Sequence, residues 1–160
     1  MPKGLDDLDR RLIRILQSDA RKSFTKIGKE LDQPDTTIHF RTKRLVTEGG
    51  AVSRFAALVR PEALGYSVAA LVKIEIGGHI LPDISKDRTA TFADELAEAE
   101  HYIWVAVEEP MTIHALMVGE SQEDLENKKA ELSKSPDIVN VTTVPLSNVV
   151  KGWEISGRPE

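Results

Sequence analysis

The chain has 160 residues, with 41% hydrophobic and 29% charged side chains, the composition of one ordinary domain or two small ones. Zero Cys excludes a disulfide scaffold, a thiolate zinc site and a Cys nucleophile, and no run of 18 apolar residues is present to cross a membrane. The net charge of −5 conceals an asymmetry: residues 1–60 carry 13 Lys/Arg against 8 Asp/Glu, whereas residues 61–160 carry 8 against 18. That is either a polyanion-binding module joined to something else or a chance spread of surface residues, and the periodicity has to decide. Met1 to Asp9 lacks the apolar core of a secretory signal, so a cytoplasmic protein is expected.

The first fifty residues read as three short helices. Leu8, Leu12, Ile15 and Leu16 recur at helical spacing, with Asp6 placed to cap and Asp9 in the first turn. Ser23 can cap a second helix with Phe24, Ile27, Gly28 and Leu31 inward. Gly28 costs about 1 kcal/mol against Ala there, tolerable where a neighbouring helix needs a close approach. Pro34 suits the first position of a third helix, with Ile38, Thr42, Leu45 and Val46 inward until Gly49-Gly50 stops it. Three helices with a tight break before the last form a helix-turn-helix arrangement.

The third helix turns Thr36, Thr37, His39, Phe40, Lys43, Arg44 and Thr47 outward, with Arg41 at the flank. Such a helix fits the major groove of double-stranded DNA: Thr and His can bond base edges, Phe can touch a thymine methyl, and Lys and Arg can pair with phosphate or guanine. A solvated face would look similar. Phe40, a large aromatic among cations, demands either a groove contact or packing on the first helix.

Residues 51–60 alternate like a strand and are too apolar for a loose linker, so pairing with a second copy is expected. The remainder reads strand over 67–76, a loop containing Gly77-Gly78 and Pro82, and a helix from about Arg88 to Ala99. Strands over 102–107 and 111–118 flank Glu108-Glu109-Pro110, a capped helix follows Ser121, and a last strand runs over 138–146. This βαββαβ order is ferredoxin-like, four antiparallel strands covered by helices on one face. Leu71–Ile76, Tyr102–Val107 and Ile113–Val118 carry large apolar residues in both alternating sets. The uncovered face is therefore expected to be apolar and covered in a homodimer.

Several stretches together resemble the feast/famine (Lrp/AsnC, leucine-responsive regulator) family of transcriptional regulators. They are Leu5 to Gln17, Asp19-Ala20-Arg21, Thr37 to Gly49, Ala57 to Gly65 and Ser135 to Thr143. The similarity spans nearly the whole chain. It implies an α+β protein: an N-terminal helix-turn-helix (winged-helix-like) domain plus a C-terminal ferredoxin-like βαββαβ domain. The corresponding division is 1–50 DNA-binding, 51–65 connector or hinge, 66–150 effector-sensing and dimerisation, and 151–160 tail.

The implied function is sequence-specific DNA binding by a homodimer or a higher oligomer such as an octamer, tuned by a small effector such as an amino acid. Arg41, Lys43 and Arg44 match basic recognition-helix positions, and Thr36 and Thr37 match the helix start. The effector set implied by the same resemblance is Glu108, Glu109, Met111, Thr112 and Thr143. This chain departs from the family pattern where Pro34 and Asp35 replace Ser then Pro, and where Thr42 replaces a larger aliphatic residue. In the hairpin, Val107-Glu108-Glu109-Pro110-Met111-Thr112 stands where the family has a Gly-Asp-Tyr-Asp-like stretch.

Enzyme readings find little support. His39, His79, His101 and His114 lack metal-ligand spacing, neither Gly pair belongs to a phosphate loop, and no metal or cofactor is expected. His114 alternates within an apolar strand and reads as a packed or interface histidine. Two alternatives stay open: an architectural protein coating DNA with low specificity, and a stand-alone small-metabolite-binding protein whose N-terminal helices only mediate association.

Overall fold

The computed structural model describes residues 4–47, 50–77, 82–150 and 152, with the backbone alone at 82 and 83. Gly49 at the expected helix stop, Gly78 and His79, and the tail 151–160 apart from Gly152 lie outside the described residues. The chain forms two compact units, Met1–Ala56 and Ala57–Glu160.

In the first unit, α1 (Asp7–Ser18), α2 (Phe24–Leu31) and α3 (Asp35–Val46) follow one another through short turns. The stripes that the sequence spaces at helical intervals meet in one core of Leu12, Leu16, Ile27, Leu31, Ile38 and Leu45. Each such side chain, when fully buried, contributes roughly 1.5–3 kcal/mol. Asp6 caps α1 in a reciprocal box. Its carboxylate accepts the Asp9 N–H at 2.8 Å, and the Asp9 carboxylate accepts the Asp6 N–H at 3.2 Å. Ser23 caps α2 as expected, accepting from the Lys26 N–H.

Pro34 stands one position earlier than expected. It is the N-cap, with φ −56° and ψ 142° and no side-chain cap bond, so the helix opens at Asp35. Asp35 accepts the N–H of Thr36 at 2.9 Å and so meets a donor that the first turn leaves unpaired. Gly28 is buried where α2 turns toward α3: its carbonyl accepts the Gln33 N–H at 2.8 Å, and a Cβ there would lie 2.5 Å from the Gln33 carbonyl oxygen. After α3 the chain folds back, the Val52 N–H donating to the Leu45 carbonyl at 2.9 Å. Residues 52–58 form no regular element, and Val59 makes a single bridge. A strand needs a partner backbone, and this stretch gains no ladder among the described residues.

The second unit opens with a short 3₁₀ turn over Pro61–Leu64. It continues as β1 (Val68–Ile76), α4 (Pro82–Glu98), β2 (Tyr102–Glu108), β3 (Thr112–Gly119), α5 (Gln122–Leu132) and β4 (Ile138–Leu146). The sheet order is β2-β3-β1-β4, with every pair antiparallel. Ala70, Val72, Ile74 and Ile76 of β1 join Ile113, Ala115 and Met117 of β3 under Ala93, Leu96 and Leu125 from the two helices.

α4 begins six residues before the predicted Arg88. Its inward stripe starts with Ser85 and Thr89, buried and joined by a bond from the Thr89 hydroxyl to the Ser85 carbonyl at 2.7 Å. Small polar residues on the buried face hid the first turns from an apolar-period reading, and Pro82, suited to a helix's first position, read as a loop residue.

The open face of the sheet is not apolar throughout, which corrects the expectation. Register places Trp104, Leu116, Leu71 and Val144 in one cross-strand row on that face. The next rows carry Ala106, His114, Lys73 and Thr142, then Glu108, Thr112, Glu75 and Asn140. Apolar residues in both alternating sets reflect two apolar rows on the open face, that of Leu71 and that of Ala69, Val118 and Leu146, while toward Glu75 the outward set turns polar.

Gly28→Ala is expected to lower stability by about 1–3 kcal/mol, because the new methyl meets backbone that cannot swing aside. The check is the urea midpoint, which should fall at unchanged slope.

Candidate nucleic-acid interface

α3 presents three different faces. Ile38, Thr42 and Leu45 are buried; Thr36, His39, Phe40 and Lys43 are exposed; Arg41 and Arg44 lie over the start of α1. Phe40 is 67% exposed, so it does not pack on α1. The ring of His39 meets Phe24 edge-on at 5.4 Å, which holds the imidazole beside α2 while the residue stays exposed. Thr37 is half-buried on the flank with Arg41.

Asp9 organises the other flank. It is 1% exposed. Its Oδ1 accepts from Arg41 Nη1 at 2.9 Å and from Arg44 Nη2 at 2.7 Å, and its Oδ2 accepts from Arg44 Nη2 at 2.6 Å. Arg41 also donates to Asp6 Oδ2 at 2.6 Å. The Arg41 hydrogen bond, with the Asp9 N–H and the guanidinium charge, holds the Asp6 carboxyl below its ordinary value. The same two carboxylates raise the pKa of Arg41 further. Two of the three cations expected to face phosphates are therefore charge-balanced by α1. Arg44 keeps a partly exposed side chain, but Lys43 is the α3 cation for which no carboxylate partner is found among the described residues. Sequence reasoning placed Asp9 in the first turn yet missed this role, since its partners lie 32 and 35 residues away. Arg10, Arg11 and Arg14 on α1 and Lys26 and Lys29 on α2 are further exposed cations, also unpaired among the described residues.

The residues suggested for an effector do not assemble into one cluster. Glu108 and Thr112 are cross-strand partners on the open face. Glu108 Oε2 lies 2.6 Å from His114 Nε2, and Glu109 is 3.7 Å from Lys86 Nζ, so both acids already have basic neighbours. Met111 packs against the core, and Thr143 pairs with Val72, on the helix-covered side. Among the described residues no group of three or more His, Asp or Glu is placed to hold a metal ion, and no helix is long and apolar enough to cross a membrane.

With this geometry in view, residues 5–46 match the AsnC-type helix-turn-helix domain. An HTH-type transcriptional regulator of Pyrococcus abyssi is 33% identical over 155 residues, covering 96% of this chain and 94% of its own length. Among solved structures, a Pyrococcus furiosus transcriptional regulatory protein described as a member of the AsnC family superposes with a TM-score of 0.78. It is 27% identical, and the match covers 93% of this chain and 94% of that one. Escherichia coli AsnC shares the fold at a TM-score of 0.76 and 17% identity, covering 92% and 95%.

Asp9→Ala is expected to cost about 1–3 kcal/mol, because it leaves Arg44 without its carboxylate and Arg41 with Asp6 alone, and opens the capping box. Thermal unfolding should show it, with a much smaller loss for the exposed Asp7→Ala. Acid should act through Asp6. Its carboxyl titrates lower when folded, so its contribution is complete above the ordinary value of 3.8 and is lost as pH falls through the lower folded value. Asp6→Asn should flatten the stability profile in that acid range.

Proposed function

Since the chain belongs to the AsnC family of helix-turn-helix transcriptional regulators, whose matched relatives are regulators rather than enzymes, we propose that it reads DNA sequence through the exposed face of α3. In this reading Thr36, His39 and Phe40 contact bases and Lys43 contacts phosphate. Arg41 and Arg44, tied to Asp9, set the angle of the helix, and Thr37 supports its flank. The carrying observation is the segregation of α3 itself: an aromatic and polar face in solvent, with two arginines turned to a buried carboxylate. Residues 1–50 form the DNA-binding head, 51–65 the connector and 66–150 the paired domain.

Pairing is proposed through the open sheet face. Leu71, Trp104 and Val144 are 44%, 51% and 53% exposed and stand in one row with Leu116. A second copy is the self-complementary cover for such a row. Two heads held in this way would enter successive major grooves about 34 Å apart.

Selection of DNA fragments by the purified protein at about 150 mM salt tests the reading. Enrichment of one motif by roughly 10³-fold is the expected result. Uniform coating would favour an architectural role, and no retention even at low salt would favour a metabolite-binding protein. Lys43→Ala should reduce the salt slope by about one unit across all sequences, whereas His39→Ala should relax preference at one base position by about 1–3 kcal/mol. Leu71→Lys should shift the sedimentation of the full chain toward the single subunit while leaving its far-UV spectrum unchanged.

A further inference from the structure

Beside α3, within the first unit, lies a groove of about 310 Å³. Phe24, Val46 and Phe55 supply apolar walls, His39 is braced against Phe24, and Lys43 stands at the rim. Thr42 also lines it. That residue is 6% exposed, and its Oγ1 has no hydrogen-bond partner. A buried hydroxyl is normally paired, and a leucine in its place would fill space that threonine leaves open. An apolar slot therefore contains an unsatisfied hydroxyl, with a cation at its edge that has no carboxylate partner among the described residues.

We propose that this groove binds a small carboxylic acid with a compact aromatic or branched apolar body, and that the occupant competes with DNA for Lys43. The apolar body lies against Phe24, Val46 and Phe55, and the carboxylate meets Lys43 Nζ and accepts from the Thr42 hydroxyl. The volume is at the low end for small-molecule sites, which limits the ligand to about one ring with a short acid arm. Neutralising Lys43 removes one phosphate contact, so by linkage DNA and acid weaken each other's binding to the same extent. Binding stands without the DNA reading; the competition rests on it.

The test titrates the full chain with phenylacetate, with phenylacetamide and acetate as comparisons, following α3 amide resonances. Saturable shifts with phenylacetate are expected, with the amide and acetate binding several-fold more weakly. Thr42→Val keeps the shape and removes the hydroxyl. It should weaken phenylacetate ~3- to 10-fold while melting no lower than the parent protein. Thr42→Leu should abolish the shifts. No saturation up to about 10 mM, or shifts that survive Thr42→Leu, would overturn the site.

On a labelled duplex selected by the protein, phenylacetate should lower affinity for the parent chain and leave Thr42→Leu unaffected. Unchanged affinity despite saturated shifts would overturn the competition alone. Absence of duplex binding without any acid would be a failure of the DNA reading, and the resonance titration would still decide the groove.

Discussion

The placement of α3 depends on a carboxylate that water barely reaches. Asp9 sits at the start of α1 with both oxygens occupied by guanidinium groups from α3 and by the Asp6 N–H. A buried charge is costly unless paired and hydrogen-bonded, so only an orientation of α3 that delivers Arg41 and Arg44 to Asp9 is acceptable. Apolar contacts between Leu12, Ile27 and Ile38 would tolerate a range of helix angles. The ion cluster narrows that range, which is how such a pair contributes specificity of arrangement more than net stability.

The arrangement has an electrostatic consequence. The formal excess of Lys and Arg in the first sixty residues overstates the charge that α3 itself offers to a polyanion, because two of its three cations are balanced internally. What remains outward on α3 without a carboxylate partner among the described residues is Lys43, among Thr36, His39 and Phe40. The cations of α1 and α2 that are unpaired among the described residues are spread over other faces, and their attraction for a polyanion decays over about 8 Å at physiological salt.

The second unit follows a comparable logic with opposite means. Its strands are mostly apolar on the helix-covered side, and on the other side along two neighbouring rows, that of Leu71 and that of Ala69, Val118 and Leu146. Toward Glu75 the outward residues pair among themselves: Lys73 with Glu75 at 2.8 Å, Glu108 with His114 at 2.6 Å, Asn140 with Glu75 at 2.7 Å. An amphipathic face limits the area of sheet that can be kept dry.

The local features were legible from residue order alone. Helical stripes, the Asp6 and Ser23 caps, the inward Gly28, the βαββαβ sequence of elements and the bounds of β4 follow from period, cap chemistry and turn residues, each settled within a few positions of the chain. The start of α4 was missed because its first inward residues are Ser85 and Thr89, which carry no apolar signal. Three further features came only from the tertiary structure: the diversion of Arg41 and Arg44 to Asp9, the polar end of the open sheet face, and the separation of Thr143 from Glu108. Each depends on helix docking or strand register between residues dozens of positions apart, and side-chain periodicity shows which face a residue occupies but not what will stand opposite it.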